Sequence, residues 1–435
     1  MSDEQNTIGN QETVAVVEPV GLKLMIRALR YRNYRLFFIG QSISLIGSWM
    51  QRIAIGWLVY RLTNSMMLLG IVMFTSQIPV LLFAPLAGVL ADRWNRHRLL
   101  ILTQSVAMIQ ALVFALLILT GVIAIWHIIV LGIILGIVHA FDMPIRQAFV
   151  IEMVGKKEDF GNAIALNSSV VNVARLLGPS IAGVIVATAG EGLCFLINGI
   201  TYFPVIGCLL AMKITPLKKV AKHPRVLHQL KEGFSYAFRF VPIRSVLLLL
   251  SLTSIMGLSH SVLMPVFAKD ILHGDARTFG FLVGASGIGA ITGALYLAYR
   301  KSVIGLVEII ATAAAIMGFG LLAFSLSRVF ALSLLLMTAV GFGMMVQMTA
   351  SNTILQTIVD DDKRGRVMSL FAMSLRGMVP FGSLLLGSMA SLIGASITLF
   401  IAGGCCVLAA IVFARQLPTL RKITHPIYDR MGITK

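Results

Sequence analysis

Apolar runs of about 20 residues recur along almost the whole chain, and they constrain its fold more than any other feature. A helix needs roughly 20 apolar residues to cross the hydrocarbon core of a bilayer. Twelve such runs lie between Tyr34 and Arg415, and only 12% of the residues are charged, whereas soluble domains carry about 25%. The sequence therefore predicts an all-α polytopic membrane protein with twelve transmembrane helices.

The 36 Lys and Arg residues are divided unevenly between alternate loops. One set of loops holds most of them, whereas the loops of the other side hold Arg61, Lys269, Arg277 and Arg328. Such an excess marks the cytoplasmic side of a membrane protein. We therefore expect both termini to be cytoplasmic, and we attribute the net charge of +18 to topology rather than to nucleic-acid binding.

The apolar runs fall into two groups of six. The predicted division is a cytoplasmic N-terminal tail at 1–33, a six-helix bundle at 34–212, a basic cytoplasmic linker at 213–243, a second bundle at 244–414 and a cytoplasmic C-terminal tail at 415–435. A single offset also superimposes four glycines of the two halves: Gly161 on Gly365, Gly178 on Gly382, Gly183 on Gly387 and Gly190 on Gly394. This repeat predicts two pseudo-symmetric halves, with which transporters build a site between their repeats.

The segment GVLADRWNRHR, from Gly88 to Arg98, concentrates charge between two apolar runs. It resembles the signature G-x-L-A-D-R-x-G-R-R-x-R of the major facilitator superfamily, in the loop between the second and third helices. The matching residues are Gly88, Leu90, Ala91, Asp92, Arg93, Arg96 and Arg98, and Asn95 and His97 depart from the pattern. The resemblance implies a cytoplasmic gate formed by Gly88, Asp92, Arg93 and Arg96 with a carboxylate at the end of helix four, here Asp142. The alternative is a basic membrane anchor, which needs the arginines but not the Gly–Asp–Arg spacing.

The segment ARLLGPSIAG, in the fifth apolar run, resembles the antiporter motif G-x-x-x-G-P-x-x-G-G of the same superfamily. Gly178, Pro179 and Gly183 match it, whereas Ala174 and Ala182 replace two of its glycines. Proline bends a membrane helix and glycines allow close helix packing. The resemblance implies export; the alternative is a kinked, closely packed helix that does not set the direction of transport.

Polar side chains inside apolar runs are costly in a membrane and mark functional sites by default. Arg52, Arg175 and Arg376 lie within spans, whereas no Asp or Glu lies near a helix midpoint. Unpaired arginines favour an anionic substrate, because guanidinium groups bind carboxylates and phosphates bidentately. The alternatives are that Arg52 extends to the membrane surface and that the other two bond backbone carbonyls between the halves. The residues expected to line the substrate cavity are Gln41, Ser44, Ser48, Arg52, Asn172, Arg175, His260, Gln347 and Arg376.

A proton-driven transporter needs a group that titrates. The candidates for this role are His139, Asp142, His260 and Glu308. The sequence has no G-x-x-x-x-G-K-[ST] nucleotide-binding loop and no H-E-x-x-H or G-x-S-x-G motif of a hydrolase. We therefore expect no enzymatic activity, no cofactor and no metal site.

Three stretches are similar to the bacterial branch of the superfamily that includes the enterobactin exporter, the transmembrane secretion effectors. They are RNYRLFFIGQSISLIGSWMQRIAIGWLVYRLTNS, GIVHAFDMPIRQAF and LMPVFAKDIL. The resemblance implies a monomeric, proton-coupled exporter of a small anionic metabolite such as a siderophore, which works in the lipid of the bacterial inner membrane by alternating access. The alternatives are a multidrug or lysophospholipid transporter and a membrane sensor or scaffold that transports nothing.

Overall fold

The computed structural model describes residues 26–213, 234–300 and 302–430. These ranges hold twelve long helices and no β-strand, which confirms the expected all-α fold in two six-helix halves. The helices of the first half are α1 (Arg32–Thr63), α2 (Met66–Arg93), α3 (Arg96–Leu119), α4 (Ile125–Met153), α5 (Phe160–Ala189) and α6 (Glu191–Leu210). Those of the second half are α7 (Val241–Ile271), α8 (Ala276–Tyr299), α9 (Leu306–Leu326), α10 (Phe330–Ile358), α11 (Asp361–Ala372, Met373–Gly377 and Val379–Ile393) and α12 (Ala395–Arg415).

Eleven of these described helices are long and apolar enough to cross a membrane. The exception is α1, which has the length, 32 residues, but whose polar side chains lower its mean hydropathy. Pro144 does not end α4. The helix continues to Met153 with the proline inside it, because membrane helices tolerate proline where neighbours satisfy the freed backbone groups.

Two of the repeated glycines make equivalent turns in the two halves. Gly190 joins α5 to α6 with φ 81° and ψ 169°, and Gly394 joins α11 to α12 with φ 84° and ψ 156°. Only glycine adopts this backbone conformation readily. The common offset seen in the sequence therefore corresponds to one tight turn used twice.

The two halves contact each other along α5 with α8 and along α2 with α11. Glycines allow these contacts, because a Cβ atom on Gly183 would lie 3.1 Å from the Cα atom of Gly280. A Cβ atom on Gly387 would lie 2.8 Å from the Cα atom of Gly70. Gly183 and Gly387, which the repeat superimposes, thus serve close packing between the halves.

The buried cores show which end of the bundle is closed. We call the end that carries the Arg93–Arg98 loop the basic end, and the opposite end the closed end. At the closed end one core combines residues of both halves, including Phe114 and Phe195 from the first with Phe267 and Phe324 from the second. At the basic end, the described residues of each half form a separate core. Among the described residues, the two halves therefore share a core at the closed end and not at the basic end.

Both ends of the described chain pack on the bundle. The expected C-terminal tail, 415–435, contains an amphipathic helix, α13 (Leu417–Arg430), whose Leu420, Thr424 and Tyr428 are buried on the second half. Its last residues, 431–435, lie outside the described residues, as do 1–25 of the predicted N-terminal tail and 214–233 of the predicted linker.

The beginning of the described chain clamps the α4–α5 connection. Asp159, whose side chain is buried, forms ion pairs with Arg27 and Arg30 and accepts a hydrogen bond of 2.7 Å from the Tyr31 hydroxyl. The hydrogen bond from Tyr31 is the main cause that lowers the pKa of Asp159, and the two positive charges add to it. Because Tyr34 of α1 also donates to the carbonyl of Ala163, this clamp fixes α1 against the start of α5.

Candidate substrate-binding cavity

Three arginines from different helices face the space between the halves. Arg52 lies on α1, Arg175 on α5 and Arg376 on α11. Arg52 and Arg376 are exposed although each lies well inside a membrane helix. Since Arg52 is close enough to the other two guanidiniums for electrostatic repulsion, its exposure is to this interior space rather than to lipid. In the described part of the chain, none of the three has a carboxylate within ion-pairing distance.

Trp49 links two of these arginines, and the sequence did not single it out. The Arg52 guanidinium carbon lies 4.6 Å from the centre of its ring, and that of Arg175 lies 5.4 Å from the same centre. Gly178 makes room for this arrangement, because a Cβ atom on it would lie 2.5 Å from the Cβ atom of Trp49. The one available signal was spacing, since Trp49 precedes Arg52 by three residues and so lies on the same helix face.

Residues of α4 add one buried carboxylate to this region. Asp142 is 2% exposed, forms an ion pair with Arg146 one turn later, and accepts hydrogen bonds from Gln104 at 2.7 Å and Thr103 at 3.3 Å on α3. His139, half-buried one turn earlier, is close enough to Asp142, Arg146 and Arg52 to interact with them electrostatically. Two of the predicted coupling candidates therefore lie together, beside the arginines. Their role in coupling stays a prediction.

In this structure Arg96 and Asp142 each form an ion pair with another residue. Arg96 forms an ion pair of 2.7 Å with Glu152, whereas Asp142 is paired with Arg146. Because α4 continues to Met153, the carboxylate beside Arg96 comes from its last turn. The expected pairing of Arg96 with Asp142 in the closed gate stays a prediction. Gly88, Asp92 and Arg93 lie at the end of α2, and their side chains are outside the described part of the structure.

The polar residues of α1 that were expected to line the cavity, Gln41, Ser44 and Ser48, differ in how deeply they are buried. Gln41 and Ser44 are buried at 5% and 1% exposure. Ser48 is half-buried and lies 3.5 Å from the Tyr202 hydroxyl of α6. Asn172 of α5 is half-buried, one turn from Arg175. Their expected contact with substrate remains a prediction.

Two predicted cavity residues of the second half are buried within that half. Gln347 of α10 donates a hydrogen bond of 2.8 Å to the Thr253 hydroxyl of α7. His260 lies in a 3₁₀ turn of α7, Leu258–Leu263, where its Nδ1 is 2.5 Å from the carbonyl oxygen of Gly257. Both were expected in the cavity because the seventh and tenth helices line it in the superfamily that the chain resembles. Their contact with substrate remains a prediction.

Glu308, another coupling candidate, lies at the beginning of α9 and not beside the three arginines. It is in the first turn of α9 at the basic end, where it forms an ion pair with Arg421 of α13. If Glu308 takes part in coupling, its protonation would act on the ion pair with Arg421 of α13 and not on the cavity. Its role in coupling stays a prediction.

A buried hydrogen-bond network, missed by the sequence, holds α1 beside the arginines. Gln51 donates to Gln110 of α3 at 3.1 Å and accepts from Asn198 of α6. All three are at most 3% exposed. Since Gln51 immediately precedes Arg52, this network fixes the rotation of α1 that directs Arg52 into the space between the halves.

Two cross-half contacts hold the closed end. Tyr60 of α1 donates a hydrogen bond to Asp270 of α7, and Lys269 donates one of 2.7 Å to Asn64 at the end of α1. Both α7 residues lie in a π-turn, Phe267–Ile271, and such turns often occur at functional sites. We call these four residues the closed-end latch.

Comparisons with known proteins agree with this architecture. The chain is 30% identical over 380 residues to the staphyloferrin A transporter of Staphylococcus aureus, covering 87% of this chain and 94% of that one. It is 24% identical over 400 residues to the enterobactin exporter EntS of Citrobacter koseri, covering 90% and 94%. It is 26% identical over 386 residues to the multidrug efflux pump Tap of Mycolicibacterium fortuitum, covering 85% and 92%.

The fold is that of solved transporters. A bacterial homolog to the human lysosomal transporter Spinster, in an inward-facing and unoccupied conformation, superimposes with a TM-score of 0.69 at 16% identity, covering 90% of this chain and 98% of that one. The family model for transmembrane secretion effectors matches residues 25–427. The chain is therefore a multi-pass membrane transporter and not an enzyme, and it belongs to the transmembrane secretion effector family of the major facilitator superfamily.

Proposed function

We propose that this transporter exports a small anionic metabolite such as a siderophore, with protons as the coupling ion. The observation that supports this most directly is the set of three arginines without a carboxylate partner in the described residues. Guanidiniums in such a site select carboxylates, phosphates and similar groups. The names of two relatives, a staphyloferrin A transporter and an enterobactin exporter, favour a siderophore.

The proposed setting is the bacterial inner membrane, with both termini in the cytoplasm and one chain as the working unit. In this orientation the basic end faces the cytoplasm, and the structure corresponds to the state that loads cargo from inside the cell. Residues 34–212 and 244–414 would then rock against each other. Closing of the basic end and opening of the closed-end latch would release the cargo outside.

Asp142 and His139 are the proposed coupling pair, since they lie beside the arginines and can take up or release a proton. Asp142→Asn is expected to abolish accumulation driven by a proton gradient while leaving exchange of labelled for unlabelled cargo intact. Loss of both activities in an inserted, folded protein would contradict a role in coupling.

The decisive experiment uses inside-out vesicles energised by a proton gradient, with iron-free staphyloferrin A as the anionic probe and erythromycin as a non-anionic one. We expect uptake of an anionic probe, and at least a tenfold loss with Arg175→Ala or Arg376→Ala. Arg277→Ala, at the closed end, is the matched control. Equal loss for anionic and non-anionic probes would contradict the anionic cavity.

A multidrug pump is the second candidate, because one relative is a multidrug efflux pump and because the Trp49 ring offers an aromatic surface in the cavity. Uptake of erythromycin that survives removal of the arginines is the result that would favour it.

A further inference from the structure

We propose that the cargo must carry at least two anionic groups, one bound by Arg52 and Arg175 beside Trp49 and the other bound by Arg376 across the cavity. This inference rests on the proposed anionic cargo. It adds a minimum charge, a bridging geometry and a specificity-determining residue, Trp49.

The first step is the arrangement in the first half. Arg52 and Arg175 come from different helices, yet both guanidiniums lie over one indole ring, at 4.6 and 5.4 Å from its centre. A guanidinium that stacks on an aromatic ring keeps its N–H groups, which lie in its own plane, free to donate to a carboxylate. Trp49 thus holds two like charges at a fixed spacing without consuming their donors.

The second step is the position of Arg376 on the opposite half. It lies in the π-turn Met373–Gly377 of α11, and it reaches across to the sulfur of Met143 on α4. A thioether is a weak hydrogen-bond acceptor, so the contact shows the reach of the side chain without satisfying its charge. Arg376 also repels both Arg52 and Arg175 electrostatically.

The third step is the consequence for closing the basic end. Closure brings the positive groups of the two halves nearer to one another, and their repulsion opposes it. A ligand with a single anionic group at the Trp49 pair leaves Arg376 uncompensated. A ligand with two separated anionic groups compensates both sides, and therefore both binds more tightly and permits closure. The competing arrangement is one anionic group shared by all three arginines, for which a monoanion suffices.

The test compares acids of equal length that differ by one carboxylate: hexanoate with adipate, and octanoate with suberate. The protein is the full chain in lipid nanodiscs at constant ionic strength, with Trp57, Trp94 and Trp126 replaced by phenylalanine, so that Trp49 fluorescence reports binding. We expect at least one diacid to bind tenfold or more tightly than its matched monoacid. A variant that keeps only Trp57, which stacks on Phe279 at the closed end, is the control and should not respond.

Arg376→Gln should remove the advantage of the diacid and leave monoacid binding within twofold. Calorimetry on Trp49 variants completes the test: Trp49→Leu should weaken both acids at least fivefold, and Trp49→Phe should restore part of the loss. Equal affinities within each pair, or equal weakening of mono- and diacids by Arg376→Gln, would overturn the bridging requirement while leaving an anionic cargo in place. Absence of any response to all four acids would overturn this inference and the proposed function together.

Discussion

The closed-end latch gives a quantitative prediction for the balance between conformations. Tyr60 is 2% exposed, and its hydroxyl donates to the carboxylate of Asp270 across the two halves. This bond exists only while the closed end is shut, because Tyr60 belongs to α1 and Asp270 to α7. Tyr60→Phe removes the donor and keeps the ring, so it should favour the conformation that is open at this end.

Hydrogen bonds to charged groups contribute about 1.5–3 kcal/mol. Asp270 is exposed and regains water when the bond is lost, so the lower limit, about 1.5 kcal/mol, is the appropriate magnitude. A difference of about 1.4 kcal/mol changes an equilibrium constant tenfold. Tyr60→Phe should therefore raise the ratio of closed-end-open to closed-end-shut molecules about tenfold.

The assay measures modification of a cysteine placed at Ala54, which is fully buried in the core shared by the halves, after the four native cysteines are replaced. In the Tyr60→Phe background, a water-soluble maleimide should react about ten times faster. Tyr299→Phe, which alters a tyrosine that is 92% exposed, is the control. An unchanged rate in a folded Tyr60→Phe protein would refute the assignment of this contact to the latch.

Three further predictions concern stability. Asp159→Asn should lower the melting temperature at pH 7, because the native pKa of Asp159 is depressed and ionisation therefore stabilises the fold above its ordinary pKa of 3.8; the difference from the parent protein should shrink as pH falls below that value. Gly394→Ala should cost about 1–3 kcal/mol, whereas Gly404→Ala, which has open space around it, should be neutral. Asp142→Asn should cost about 1.5–3 kcal/mol, because the half-buried Arg146 loses its bond to a charged partner, and adding Arg146→Met should recover part of that loss; purely additive effects would contradict the coupling.

Much of the fold follows from the sequence because membrane helices obey two simple constraints, length and continuous apolarity. The repeated glycines were equally informative, since Gly190 and Gly394 adopt a conformation that other residues avoid, and Gly183 and Gly387 lie where helices of the two halves touch. A constraint of this kind acts on a single residue, so the residue type at that position is enough to predict it.

Contacts between helices were harder to predict, as the gate shows. The resemblance implies that Arg96 pairs with Asp142 in the closed gate, whereas in this structure Arg96 pairs with Glu152, ten residues or almost three helical turns further along α4. Which carboxylate lies beside Arg96 depends on how far α4 continues past Pro144 and on the conformation, and the spacing of the motif shows neither.

The same limit applies to the candidate site. Depth in the membrane singled out Arg52, Arg175 and Arg376 one at a time, but the convergence of Arg52 and Arg175 on Trp49 depends on how α1 packs against α5. That depends in turn on Gly178 and on the network around Gln51, and neither contact is visible in the periodicity of a single helix.

Two irregular turns of the second half carry polar contacts with the first. Asp270 and Lys269 lie in the π-turn of α7 and contact Tyr60 and Asn64 at the end of α1, whereas Arg376 lies in the π-turn of α11 and contacts Met143 of α4. A π-turn interrupts the regular i→i−4 hydrogen bonds, so it changes shape at lower cost than a continuous helix. One of these turns holds the closed end shut, and the other presents a positive charge to the open cavity. Both turns are in the second half, so a shift of α7 and α11 can connect two events. Cargo neutralises the charge of Arg376, and the hydrogen bond between Tyr60 and Asp270 breaks at the opposite end. Meanwhile α1 and α5 keep Arg52 and Arg175 fixed on Trp49.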